Sequence, residues 1–166
     1  MMKKRFFIAV LLLPILGFSY ELNFNKSFTK VVNPDLLTTN ITISVEKKDE
    51  NKVNSEIEKF NEFLKKTNEV TLKNGSFTLS PKYKYHDNKQ EFLGYVGNLR
   101  YTAESKNAKD LNVFMDKLIS IKENIKSEEV KLNISNVSWK TSDNLENKSF
   151  DELRLEAINW IDSYAK

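Results

Sequence analysis

Phe77-Thr78-Leu79-Ser80-Pro81-Lys82-Tyr83-Lys84-Tyr85, followed after a polar stretch by Leu93-Gly94-Tyr95-Val96-Gly97-Asn98-Leu99-Arg100-Tyr101, is where this chain declares its architecture. In the first run Phe77, Leu79, Pro81, Tyr83 and Tyr85 alternate with Thr78, Ser80, Lys82 and Lys84, the period-two mark of a strand with one buried face. His86-Asp87-Asn88-Lys89-Gln90 is polar enough for a turn, and Leu93, Tyr95, Gly97, Leu99 and Tyr101 line one face of a second strand. The two form a predicted hairpin. With Tyr85 opposite Glu91, Tyr83 meets Leu93, Pro81 meets Tyr95 and Phe77 meets Leu99, so both apolar sets share one side of the sheet.

Upstream, Leu37, Thr39, Ile41, Ile43 and Val45 alternate with Thr38, Asn40, Thr42, Ser44 and Glu46, which is the cleanest strand pattern in the chain. From Asp49 to Asn68 the period changes: Val53, Ile57, Phe60 and Leu64, widened by Phe63, form the stripe of an amphipathic helix. Val70 to Gly75 reads as a lead-in strand or a loop. Downstream the helical period returns with Leu111, Phe114, Met115, Leu118, Ile121 and Ile125, then Val130, Leu132 and Ile134 mark a strand. Val137 and Trp139 fall out of phase with it, which a bulge near Ser135 and Asn136 explains. Ser149 and Glu152 have capping-box spacing, so a last helix is expected to start there and to bury Leu153, Ala157, Trp160, Ile161 and Tyr164.

The order strand, helix, strand, strand, helix, strand is the split βαβ pattern: an α+β fold with an antiparallel sheet and a ferredoxin-like βαββαβ core. Its second strand lies at a sheet edge, where Pro81, which has no N–H to donate, is tolerated. A weaker strand signal at Leu22 to Val32 (Leu22, Phe24, Phe28) precedes the core, and with the C-terminal helix it must add to an edge, to the open sheet face or to another subunit.

Residues 1–19 read as a cleaved signal peptide: Lys3, Lys4 and Arg5, an apolar run from Phe6 to Leu16, then Gly17-Phe18-Ser19, with Tyr20 as the expected mature start. The run is too short for a comfortable bilayer crossing, so no integral membrane span is expected after cleavage. The chain has 26 Lys and Arg against 23 Asp and Glu; the leader holds three of the bases and no acid, leaving 23 against 23. That balance supplies no basic face for phosphates, and nucleic-acid binding is not expected. The absence of cysteine excludes thiolate catalysis, Cys-based metal sites and a lipid-modified N-terminal Cys. Residues 20–166 have the size of one domain with its own core.

His86, the sole histidine, has neither a second His nor a Cys to join it in a metal site and reads as a solvated turn residue. Tyr83, Tyr85, Tyr95 and Tyr101 read as core or subunit packing rather than a stacking platform, because their period separates them from Lys82 and Lys84. Glu128-Glu129 and Asp151-Glu152 sit at element starts, where capping accounts for them. No G-x-S-x-G, G-x-G-x-x-G or P-loop occurs. The acidic polar face of the last helix would not attract anionic lipid.

The leader, the opening strands, the Pro81-x-Tyr83-x-Tyr85 stretch, the following Gly94-Tyr95-Val96 and the Ala157-bearing helix together resemble the SIMPL-domain family of bacterial envelope proteins. The resemblance covers nearly all of residues 20–166. It implies an exported, non-enzymatic protein without a cofactor, periplasmic or loosely associated with the envelope, forming homo-oligomers and linked to envelope or oxidative stress. Family members continue past the last helix with further strand-forming sequence. Here the helical pattern runs to Lys166 without a stop signal, so a domain truncated at its C-terminus is expected. The residues expected to form an interaction surface are Pro81, Tyr83, Tyr85, Tyr95, Trp160 and Tyr164. Two other readings stand beside this one: a periplasmic ligand-binding or holdase module using the open sheet face, and an enzyme using carboxylates alone.

Overall fold

The alternation around Ile41 and Ile43 becomes β1, Leu36–Lys47, the strand on which the sheet is assembled. The computed structural model describes residues 25–87 and 89–164. After β1 come α1 (Glu50–Lys66), β2 (Thr71–His86), β3 (Lys89–Ser105), α2 (Ala108–Ile125), β4 (Val130–Ile134), β5 (Ser138–Lys140) and α3 (Asp143–Tyr164). The sheet order is β2-β3-β1-β4, with β5 also paired to β1, and every pairing is antiparallel. This is the split βαβ arrangement, with β2 at the edge.

Both helices lie on the face that carries the odd-numbered residues of β1. Val53, Ile57, Phe60 and Leu64 of α1 and Leu111, Phe114 and Leu118 of α2 pack on Ile41, Ile43, Val45, Leu99, Ala103 and Val130 to form one buried cluster. Apart from Ala103, each such side chain contributes about 1.5–3 kcal/mol by leaving water. Phe63 and Phe114 stack between the helices with ring centroids 5.7 Å apart. Asp49 caps α1 by accepting from the N–H of Asn51 (2.8 Å) and Lys52 (3.3 Å), and Asn107 caps α2 by accepting from the N–H of Asp110 (2.9 Å). α2 stops at Lys126, in the left-handed region at φ 49°.

The phase change after Ile134 is a real interruption: Ile41 faces Ile134, whereas Thr38 faces Ser138, so the strand opposite β1 carries one extra residue between β4 and β5. Ser135 sits in this gap, accepting from Thr39 Oγ1 (2.8 Å) at its carbonyl and from the Asn40 N–H (2.8 Å) at its hydroxyl. The residues before Phe77 belong to the strand, since β2 begins at Thr71.

Three expectations need correction. In the hairpin Phe77 faces Leu99 and Pro81 faces Tyr95, but Tyr83 faces Phe92, not Leu93, and Tyr85 faces Gln90, not Glu91. The register slips because Gly94, at φ +135°, accommodates an extra residue on β3; a Cβ there would meet the Lys47 carbonyl oxygen at 2.4 Å. Secondly, α3 begins at Asp143 and not at Ser149. The Ser142 hydroxyl accepts from the Leu145 N–H at 3.2 Å, while Ser149, inside the helix, donates to the Leu145 carbonyl at 2.8 Å. Thirdly, the N-terminal strand of the sheet is β1, and residues 25–35 ahead of it run as irregular chain; Leu22 and Phe24 lie outside the described residues, as does the leader. That segment sets Phe28 against α3 instead of into a ladder: Phe28 meets Trp160 with centroids 6.1 Å apart, while Val31 stands in solvent and the Asp35 N–H reaches the sheet at Lys140 O (3.2 Å).

Candidate functional site

β1 ends at Lys47 opposite Tyr95, so the hairpin beyond that point has no third strand beside it. This overhanging arm, residues 82–92, carries a ladder of rings: Tyr83 to Phe92 at 5.6 Å and Phe92 to Tyr95 at 5.3 Å, both edge-on. Tyr95 packs at the margin of the core, Pro81 faces it across the hairpin, and Tyr85 near the tip is 74% exposed. Lys82 pairs with Glu46 (2.5 Å). His86 and Asp87 meet at 3.0 Å on the turn, both solvated. Among the described residues no three His, Cys, Asp or Glu side chains gather as a ligand set.

The other expected interaction residues lie on α3. Its first turn is tied to the fold by Asp35, whose carboxylate accepts from the Ser142 N–H (2.7 Å) and hydroxyl (2.8 Å), and by Lys73, which pairs with Asp143 at 2.8 Å. Those Ser142 contacts hold the Asp35 carboxyl below its ordinary value. Further along, the segment before β1 serves as a strap: Lys30 pairs with Glu152, and Phe28 packs against Trp160, which in turn lies 4.8 Å from Tyr164. The remaining apolar side of the helix is open. Leu155, Ile158 and Ile161, three residues apart, are all more than half exposed. Thus Pro81, Tyr83, Tyr85 and Tyr95 fall together on the arm, and Trp160 and Tyr164 fall together on a separate element.

Sequence reasoning missed Phe92, Leu155 and Ile158 as members of these patches, although each stands in an apolar pattern that could have flagged it. It also missed a buried carboxylate. Glu104, 3% exposed, accepts from Lys140 Nζ at 2.7 Å and pairs with Lys73 at 3.1 Å. Burial pushes this carboxyl up, but Lys140 and Lys73 outweigh that and hold it below its ordinary value. Lys73 therefore bridges Glu104 to Asp143 and joins β2, β3 and α3 at one corner, with its own ammonium raised by those two partners. The arrangement neutralises a charge; it offers no free acid or nucleophile. The sheet face away from the helices is polar, with Thr38, Asn40, Thr42, Ser44, Asn98 and Thr102 in neighbouring register, and the Thr102 hydroxyl donates to Asn40 Oδ1 at 2.9 Å.

With this geometry in hand, the family model SIMPL, described as a protein of unknown function (DUF541), matches residues 27–160. The chain belongs to the SIMPL family. The match spans β1 through most of α3, so it includes the aromatic arm and Trp160 of this SIMPL domain and ends before Ile161 and Tyr164. A search of curated proteins finds no match. Among solved structures the SIMPL chain is similar to the de novo designed protein Foldit4 (14% identity, 61% of this chain and 97% of that one, TM-score 0.35). It is similar also to the de novo designed protein Ferredog-Diesel (15% identity, 70% and 100% covered, TM-score 0.32). A third is a phage SAM lyase in complex with S-methyl-5'-thioadenosine (13% identity, 70% and 97% covered, TM-score 0.31). Likenesses of this strength carry no argument about what the SIMPL chain does.

Proposed function

We propose that this SIMPL protein is an exported, non-enzymatic component of the bacterial envelope that works by associating with further copies of itself, in a role linked to envelope or oxidative stress. The observation that carries the reading is α3, a 22-residue helix whose Leu155, Ile158 and Ile161 stand in solvent on one side while the strap covers another. Contiguous exposed apolar surface of this kind marks an interaction site. The leader supports export, and no helix among the described residues is long and apolar enough to cross a membrane. Light scattering on the processed protein across micromolar concentrations tests self-association; a strict monomer throughout would refute it. Mass spectrometry of the periplasmic fraction tests export, with Tyr20 as the expected first residue.

A second reading, a ligand-binding or holdase module on the open sheet face, draws support from the polar row Thr38, Asn40, Thr42, Ser44, Asn98 and Thr102. Such a surface suits a polar ligand better than an unfolded, greasy client. Thermal shift against envelope glycans and lipids separates the two readings, since a shift at fixed oligomeric mass would favour this one.

A further inference from the structure

Between α1 and β2, on the helix-bearing side of the sheet, lies a cleft of about 330 Å³. Its floor is apolar: Ile57 and Leu99 are buried there, Tyr101 is half-buried, and Phe77 stays 46% exposed although it faces Leu99 across the hairpin. Its rim comes from α1, where Asn54, Glu58 and Asn61 stand at i, i+4 and i+7, a stripe running beside the buried one. Gly75, where a Cβ would strike the Tyr101 ring, leaves the opposite wall without a side chain at that point. An apolar floor with a few convergent polar groups at its edge is the form that small-molecule sites take.

The lining selects among ligand chemistries. Among the described residues no Lys or Arg lines the cleft, so an anion has no cation to meet there. A cation fares little better, since the carboxylate at the rim, Glu58, already accepts from Asn61 Nδ2 at 3.0 Å and from Lys65 Nζ at 3.3 Å. What fits is a neutral ligand with an apolar face for the rings and an edge that both donates and accepts. Glu58 can only accept, the amides of Asn54 and Asn61 do both, and the Asn54 amide and the Tyr101 hydroxyl have no hydrogen-bond partner among the described residues. A sugar ring has this make-up, with C–H groups on its face and hydroxyls around its edge. The volume lies at the lower end of the roughly 300–1,000 Å³ of ligand pockets, which suits one or two such rings. We propose that the cleft between α1 and β2 binds a neutral saccharide, stacked on Phe77 and hydrogen-bonded by Asn54, Glu58 and Asn61. The site lies on the opposite side of the sheet from the polar row considered above and is independent of self-association.

The test is an NMR titration of the isotope-labelled processed protein with glucose, maltose, N-acetylglucosamine and diacetylchitobiose, with inorganic phosphate and tetramethylammonium as the anionic and cationic contrasts. At least one saccharide is expected to move the side-chain amide signals of Asn54 and Asn61 saturably in the millimolar range, leaving those of Asn40 and Asn98, on the other face of the sheet, in place. Asn54→Ala, which removes an amide with no partner to lose, is expected to weaken that binding about three- to tenfold. Phe77→Leu, which keeps an apolar contact but removes the ring, is expected to weaken it at least as much, both variants keeping a thermal midpoint near that of wild type. Silence from every saccharide, a response to phosphate or tetramethylammonium in their place, or unchanged affinity in either variant overturns the proposal. Shifts at Asn40 and Asn98 in place of Asn54 and Asn61 overturn it as well and favour the sheet-face reading. Each of these results leaves the self-association reading where it stood.

Discussion

Gly94 sits at φ +135° with the end of β1 close against it, so any side chain there is both strained and obstructed. Gly94→Ala is expected to cost about 1–3 kcal/mol, seen as a lower denaturation midpoint with an unchanged slope. Glu104 poses the opposite problem, a charge that is buried and needs its partners. Glu104→Ala should cost about 1–3 kcal/mol by stranding Lys73 and Lys140. Its pH signature has a definite sign. The folded carboxyl lies below its ordinary value of 4.5, so its contribution is full above that pH and disappears as pH falls through the folded value. Acid titration of stability should therefore be steeper in wild type than in Glu104→Gln over that window. Neither residue announced itself in the sequence. A glycine in a strand pattern signals a bulge only in general terms, and the two lysines that satisfy Glu104 come from positions 31 residues before it and 36 residues after it.

At the scale of single elements, α2 ends on Lys126 in the left-handed region, a conformation costly for a residue with a Cβ. Lys126→Gly is expected to stabilise the protein by about 0.5–1 kcal/mol, measured as a raised thermal midpoint. α3 should behave unlike α1 and α2. Four residues of α1 and three of α2 are buried and apolar, whereas the one buried residue of α3 is Ser149. Local opening follows such differences, so at low protein concentration the amides in the second half of α3 should exchange well before those of α1. These elements were largely legible beforehand: the period-two and period-3.6 stretches became the strands and helices they implied, because each packs one stripe into one core. The start of α3 was misread because Ser149 and Glu152 mimic a cap by spacing alone, while the residue whose side chain meets a first-turn N–H, Ser142, has its partner Asp35 on the far side of the chain.

For the molecule as a whole, the sheet order followed from the order of periods and from Pro81, since a split βαβ chain with short connections has few other ways to close. The core so formed should fail cooperatively: Phe114, fully buried between the helices and the sheet, is expected to cost about 3–5 kcal/mol on replacement by Ala, checked by urea unfolding. Less could be foreseen where the chain leaves that core. Tyr83 and Phe92 meet because of an irregularity three-dimensional in origin, and the strap is drawn to α3 by Phe28 and Lys30, which no periodicity connects to Trp160 or Glu152.

The outer margin of β2 has a consequence of its own. A long strand at a sheet border is ordinarily a template on which further backbones can stack, and the usual end point is a fibril. Here Pro81 removes a donor midway, and register breaks at Lys73/Ser76 and Lys82/Tyr83 spoil the straightness on either side of it. Cross-β growth is thereby blocked along this border, so a molecule with so much uncovered grease can be crowded together without turning into amyloid.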